Sequence, residues 1–153
     1  MTTLHQRTAG REVARFHPDL VGAERRRHRR HDLEQMGIAV QRWDGARGAS
    51  HEFGTIVDLS AGGVRIRTEQ PGVRPDHQIR VRMELPDYAG ICPFVDTAAE
   101  HPQPKREWIG WLAVNRVHKL GAQEFDIAGT LVDMDDIDRG MLGLYLSTQP
   151  LAA

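Results

Sequence analysis

Short stretches in which apolar and polar residues alternate fill the middle of this sequence. Alternation with a period of two is typical of β-strands that bury one face. The strands predicted in this way cover residues 37–43, 52–59, 63–68 and 78–85. Turn-forming sequences separate them: DGARG at 44–48, SAGG at 60–63 and QPGVRPD at 70–76. Short strands at this spacing predict an all-β sandwich or a small barrel.

Two of these strands have a regular two-faced pattern, VRIRT and IRVRMEL. Successive side chains of a strand point to opposite faces, so one face is predicted to be apolar and the other basic. The apolar face contains Val64, Ile66, Ile79, Val81 and Met83. The basic face contains Arg65, Arg67, Arg80 and Arg82, and we interpret it as solvated. The alternative is that one of these arginines contacts a ligand that lies across the outside of the fold.

The last third of the chain predicts a hairpin and a helix. The hairpin strands are residues 108–119 and 123–133, after a proline-containing excursion at 87–107 that we expect to be mobile. The helix, 135–146, begins with aspartates, which suits the positive end of its dipole. An apolar stripe on the helix is predicted to close one end of the barrel; it contains Ile137, Met141, Leu142, Leu144 and Tyr145.

Composition limits the class of protein. A chain of 153 residues with 40% hydrophobic and 27% charged residues predicts one folded domain rather than a disordered segment. The sequence has no apolar run long enough to span a membrane and no secretory signal at its start, so a cytoplasmic location is expected. Its single cysteine, Cys92, cannot form an internal disulfide, and its eight histidines show no metal-binding pattern.

Positive charge is concentrated in one place. The segment ERRRHRRH at 24–31 carries five arginines, whereas the whole chain has a net charge of −1. Such a cluster on an acidic body favours a local anion site over a broad nucleic-acid face. Taken alone, the cluster favours a solvated charged segment, and a contact for nucleic-acid phosphates is a further alternative.

Two motifs give this barrel a family resemblance. The first is RxxxR, formed by Arg26 and Arg30; the second is DxSxxG, formed by Asp58, Ser60 and Gly63. In this order, with one strand between them, they resemble the PilZ family of cyclic di-GMP receptors. The resemblance implies a six-stranded antiparallel PilZ-like (split) β-barrel with a C-terminal α-helix. It places the PilZ domain at 24–148, an N-terminal extension at 1–23 and a tail at 149–153.

The resemblance also implies a set of ligand-binding residues. They are Arg25, Arg26, Arg30, Asp58, Ser60 and Gly63. Arginine forks match the O6 and N7 acceptors of guanine and the phosphates, and a carboxylate can accept from guanine N1 and N2. Glycine permits both an unusual backbone angle and close approach of the ligand. Arg25 and Arg29 form a second RxxxR, so the register of the first motif has two solutions, of which we favour Arg26 and Arg30.

The resemblance implies a receptor rather than an enzyme. It predicts that cyclic di-GMP, the ligand, changes the conformation around the arginines and that the chain then signals to a protein partner. No cofactor, metal or membrane insertion is predicted, and either a monomer or a homodimer is expected. Two alternatives stay open: a nucleotide-independent protein adaptor, and nonspecific nucleic-acid binding by the arginine cluster.

Overall fold

The strands predicted from the sequence form in the structure. The computed structural model describes residues 28–44 and 49–152. The strands of the described part are β1 His31–Asp32, β2 Ala39–Asp44, β3 Ala49–Leu59, β4 Gly63–Thr68, β5 Gln78–Glu84, β6 Phe94–Asp96, β7 Gln103–Lys105, β8 Glu107–Lys119 and β9 Phe125–Val132. A 3-10 turn, Glu34–Met36, follows β1, and one α-helix of the described chain, α1, covers Asp136–Leu146.

Six of these strands close into an antiparallel barrel within the described residues. The strand order is β3-β2-β5-β8-β9-β4, and a further pairing between β3 and β4 joins the two ends. The long strand β3 makes closure possible because it pairs with β2 through its first part and with β4 through its last part. The predicted six-stranded barrel with a C-terminal helix is confirmed.

The alternating strands bury the face that the pattern predicts. Val64 and Ile66 of β4 and Val81 of β5 are almost fully buried in the barrel core. The basic face, however, is not simply solvated. Arg67 lies 2.6 Å from Glu34 Oε1, and the Arg82 Nε lies 2.6 Å from an oxygen of Glu107, so ion pairs cover much of this face.

The segment between β5 and β8 is more ordered than its prolines predict. Strands β6 and β7 form a small two-stranded sheet there. Phe94 is completely buried, and the backbone N–H of Val95 donates to Oδ1 of Asp138 at 2.9 Å. The predicted mobile excursion is therefore corrected to a segment that is anchored to the helix.

Helix α1 begins one residue after the predicted start and buries a partly different face. Asp135 caps it by accepting from the Asp138 N–H at 2.7 Å. The fully or almost fully buried residues of the helix are Asp138, Leu142, Tyr145 and Leu146. Ile137 and Leu144, which the predicted stripe included, are 55% and 53% exposed. The helix is rotated relative to that stripe because the buried Asp138 accepts the hydrogen bond from β6.

The residues after the helix return to the beginning of the barrel. The Asp32 N–H donates to the Pro150 carbonyl at 2.9 Å, and the Ala152 N–H donates to the Arg30 carbonyl at 3.0 Å. The buried His31 also contacts the Gln149 carbonyl through Nδ1 at 3.0 Å. This C-terminal segment, 149–152, thus pairs with the chain immediately after the arginine cluster. No helix among the described residues is long and apolar enough to cross a membrane.

Candidate ligand-binding groove

A groove of about 440 Å³ lies on the outer surface of the barrel, across the end of β3, the start of β4 and the inner parts of β9 and β8. It lies beside the turn that joins β3 to β4. Its polar lining residues are His28, Arg30, Asp58, Ser60, Arg65, Asn115, Arg116 and Thr130, and its floor includes Gly62, Gly63, Ala128 and Gly129. We call this surface the β3–β8 groove. Its volume falls within the range of ~300–1,000 Å³ that is typical of small-molecule sites.

The turn from Ser60 to Gly63 is held by its own serine. The Ser60 Oγ accepts from the N–H groups of Gly62 at 3.2 Å and Gly63 at 3.0 Å. The Ser60 N–H donates to the Gly63 carbonyl at 2.8 Å. The serine of DxSxxG therefore shapes the turn, and it does so while lining the groove.

Close packing explains why glycine stands at the end of this turn. A Cβ on Gly63 would lie 2.6 Å from the carbonyl oxygen of Gly129, and a Cβ on Gly62 would lie 2.8 Å from the His28 ring. The φ angle of Gly63 is not positive, so the turn does not use the unusual backbone angle that glycine permits. Gly63 is required because β9 approaches its backbone closely.

Asp58 is buried at the inner wall of the groove. An irregularity in the pairing of β3 with β4 between Ile56 and Asp58 sets its position. Its Oδ2 lies 2.9 Å from the Nε of Arg65, its cross-strand neighbour, although this N–H is not aligned for a hydrogen bond. Arg65 also lies 3.7 Å from Asp126. The guanidinium of Arg65 thus offsets part of the desolvation cost of burying this carboxylate.

Only part of the arginine motif falls in the described chain. Arg30 is half-buried and lines the β3–β8 groove together with Asp58 and Ser60. Arg29 is exposed and lines a different pocket, beside α1 and the C-terminal segment. Arg25 and Arg26 lie outside the described residues. Of the two described arginines, Arg30 and not Arg29 lines the β3–β8 groove, which favours the RxxxR register that ends at Arg30.

A bulge at the far side of the groove places two more polar side chains in it. In β8, Val114 pairs with Gly129 and Arg116 pairs with Ala128, so Asn115 is an extra residue. A bulge of this kind re-aims side chains. Asn115 and Arg116 both become exposed and line the groove, whereas Val117 returns to pack against the core.

The sequence of residues 24–94 matches the family model described as PilZ domain. The matched part of the chain is therefore similar to the PilZ domain. No curated protein gives a significant match to the sequence.

Two solved structures show the likeness in fold. A structure of the Bacillus subtilis inhibitor of motility, MotI/DgrA, matches with a TM-score of 0.57 and 15% identity, over 80% of this chain and 49% of that chain. The PilZ domain of YcgR from Escherichia coli, solved with c-di-GMP, matches with a TM-score of 0.52 and 10% identity, over 80% of this chain and 90% of that chain. The present chain therefore spans about half of the length of MotI/DgrA.

Sequence reasoning missed five polar residues that line the β3–β8 groove: His28, Arg65, Asn115, Arg116 and Thr130. The sequence pattern assigns Arg65 to a solvated face, whereas in the structure its Nε lies 2.9 Å from Asp58 Oδ2. The signal for Asn115 and Arg116 was present in the sequence, since two adjacent polar residues interrupt the alternation between Val114 and Val117. Among residues 28–44 and 49–152, no three His, Cys, Asp or Glu side chains are grouped to hold a metal ion.

Proposed function

We propose that this chain is a cyclic di-GMP receptor that binds its ligand in the β3–β8 groove and signals to a protein partner. The observation that carries the proposal is that Arg30, Asp58 and the Ser60–Gly63 turn line one groove. Arg30 and Asp58 are 28 positions apart in the sequence, so the fold brings the two motifs together. The PilZ match over residues 24–94 supports the same ligand.

Each of these groups has a role that the ligand's chemistry requires. The Arg30 fork is suited to guanine O6 and N7 or to a phosphate, and Arg25 and Arg26 would add guanidinium groups from the preceding segment. The Asp58 carboxylate accepts from the guanine N1 and N2 donors. The Gly62 and Gly63 backbone lets the ligand approach the floor closely, since neither residue carries a side chain.

The proposed signal is an ordering of the arginine segment. The Arg30 carbonyl is already hydrogen-bonded to Ala152, so the segment that changes precedes Arg30. Ligand phosphates and guanines would gather Arg25 and Arg26 against the barrel and so create a new surface for a partner. We further propose that the chain acts in the cytoplasm as a monomer or homodimer, without a cofactor and without catalytic activity of its own.

Isothermal titration calorimetry with cyclic di-GMP tests the binding step. We expect binding by the wild-type chain and a loss of tenfold or more in affinity for Arg30→Ala and for Asp58→Asn, which keeps the shape of the side chain. Arg29→Ala is the matched control, because this adjacent arginine lines the other pocket, and it should keep its affinity within about threefold. GTP and a short RNA serve as competitors. Competition by the RNA as strong as by cyclic di-GMP would instead support nonspecific nucleic-acid binding.

Hydrogen exchange tests the signalling step. Amides of residues 20–29 should gain protection when cyclic di-GMP binds, while the Leu33 amide, already bonded to the Val57 carbonyl, should change little. Binding without any gain in protection before Arg30 would contradict the ordering mechanism and leave the receptor assignment intact.

One observation favours a second candidate, a nucleotide-independent adaptor. Asp58 already has a cationic partner in Arg65, and the Ser60 hydroxyl is engaged by its own turn, so both motif residues have structural roles without a ligand. A well-folded chain that gives no heat with cyclic di-GMP would establish this adaptor over the receptor.

A further inference from the structure

The β3–β8 groove has a second polar end that neither sequence motif includes. Direct cross-strand pairing lines up four residues in one row across four strands: Asp58, Arg65, Ala128 and Arg116. Neighbouring strands lie about 4.8 Å apart, so three steps separate the ends of the row by about 14 Å along the sheet. Asp58 stands at one end of the row and Arg116 at the other.

The middle of the row, on β9, is formed by small residues. Ala128 presents only a methyl group, and Gly129, the next residue of β9, has no side chain. A planar ligand can therefore lie across β9 without meeting a large side chain. The groove thus has two polar ends that are joined by a small-residue floor.

Arg116 differs from the other arginines beside the groove. Arg65, which lines the groove, is held in an ion pair with Asp126, as is Arg67 of the same strand outside the groove. Arg116 has no ion-pair partner in the part of the chain that the structure describes, yet the bulge of β8 directs it outward at the groove wall. An arginine with its five donors uncommitted is suited to an anionic or acceptor-rich ligand.

Asn115 gives the second end an acceptor beside this donor. Its Nδ2 donates to the Thr130 Oγ1 at 2.8 Å, which fixes the side chain and leaves Oδ1 without a donor among the described residues. Arg116 as donor and Asn115 as acceptor thus resemble Arg30 and Asp58 at the first end. The difference is that the Asn115 side chain is neutral, whereas Asp58 is a carboxylate.

We propose that Arg116 and Asn115 bind the second nucleotide unit of a cyclic dinucleotide whose first unit lies against Arg30 and Asp58. This inference rests on the proposed function and extends it, because a site with two ends accounts for selection of a dinucleotide over a mononucleotide. The Arg116 fork contacts either the guanine O6 and N7 acceptors or a phosphate of that second unit.

Calorimetry on the full chain with cyclic di-GMP tests the proposal. Arg116→Ala should weaken binding by about tenfold to a hundredfold, as expected for loss of an arginine fork. Lys119→Ala is the matched control, since it removes one exposed charge from the same strand outside the groove. Affinity for GMP, measured by NMR titration at millimolar concentration, should change less than twofold in Arg116→Ala.

Arg116→Lys separates the two contacts. Lysine keeps the positive charge but lacks the two-pronged donor geometry of arginine. If Arg116→Lys binds as weakly as Arg116→Ala, Arg116 contacts a guanine. If Arg116→Lys largely keeps its affinity, Arg116 contacts a phosphate. Unchanged melting temperatures show that each variant is folded.

Three results would overturn the inference: cyclic di-GMP affinity within twofold of wild type in Arg116→Ala, an equal loss in Lys119→Ala, or an equal loss of GMP affinity in Arg116→Ala. If the wild type binds cyclic di-GMP and Asp58→Asn does not, any of these three results contradicts only the role of Arg116 and Asn115, and the proposed function still holds. Absence of binding by the wild type removes the proposed function together with this inference.

Discussion

The guanidinium of Arg139, in helix α1, donates a hydrogen bond to the carbonyl oxygen of Ala61, in the turn of the DxSxxG motif. The same guanidinium donates to the Leu131 carbonyl of β9 at 3.3 Å. The C-terminal helix is thereby attached directly to the turn that forms the floor of the β3–β8 groove. Because both partners are backbone carbonyls, the contact depends on the path of the chain rather than on other side chains.

Arg139→Ala should destabilise the domain by about 1.5–3 kcal/mol, because it removes charged hydrogen bonds to two carbonyls. Urea denaturation measures the change. Arg74→Ala is the control, since this arginine is exposed and forms no side-chain ion pair among the described residues, and its effect should stay within about 0.5 kcal/mol. Equal stabilities of the two variants would mean that the contact between the helix and the turn contributes nothing.

Gly63→Ala should destabilise the barrel by about 1–3 kcal/mol, because its Cβ would lie 2.6 Å from the Gly129 carbonyl and force β4 away from β9. Thermal denaturation measures the loss. Gly121→Ala is the matched control, as a Cβ there meets nothing within 4 Å. A Gly63→Ala variant as stable as Gly121→Ala would contradict the close-packing role.

Tyr145 should make stability depend on alkaline pH. Its side chain is fully buried and its hydroxyl donates to the Pro86 carbonyl at 2.7 Å. Burial, with the nearby Asp87 adding to it, raises the pKa of Tyr145 from 10 to about 12. The folded state therefore holds this proton more tightly than the unfolded chain does, and the resulting stability is complete below pH 10 and lost between about pH 10 and 12.

Comparison of the wild-type chain with Tyr145→Phe isolates this effect. At pH 8 the variant should be less stable by about 1 kcal/mol, the value of one hydrogen bond. At pH 11, one unit above the ordinary pKa of tyrosine, the wild type should have lost about 1.4 kcal/mol that the variant keeps. Denaturation in urea at both pH values gives the difference, and a difference independent of pH would refute the assignment.

Removal of the C-terminal segment should loosen the chain next to Arg30. Truncation after Thr148 removes the hydrogen bond from the Asp32 N–H to the Pro150 carbonyl, so exchange of the Asp32 amide should accelerate at least tenfold. The Leu33 amide is an internal control, because it is bonded to Val57 in β3. Equal acceleration of both amides would indicate global destabilisation instead.

Local patterns predicted those features that depend on neighbouring residues. Strand β4 has the predicted limits, Gly63–Thr68, because its alternation and its glycine turn are both local. The helix starts one residue after the prediction, which its aspartate cap explains.

Features that depend on the register between distant strands escaped prediction. Arg65 faces Asp58 and Asp126, and no local pattern says which strand pairs with which. The orientation of the helix was not predicted for a related reason. Asp138 is buried because it accepts a hydrogen bond from the Val95 N–H, and a rule that buries only apolar residues places this aspartate on the exposed face.

The hydrogen bond between Ala152 and Arg30 places residue 152 beside the second arginine of the RxxxR motif. A reporter protein fused after residue 152 would consequently begin next to Arg30, at one edge of the β3–β8 groove. If cyclic di-GMP binds in that groove as we propose, its arrival would change the surroundings of this junction directly. Such a fusion would retain Arg25 and Arg26 and would serve as a genetically encoded reporter of the proposed ligand.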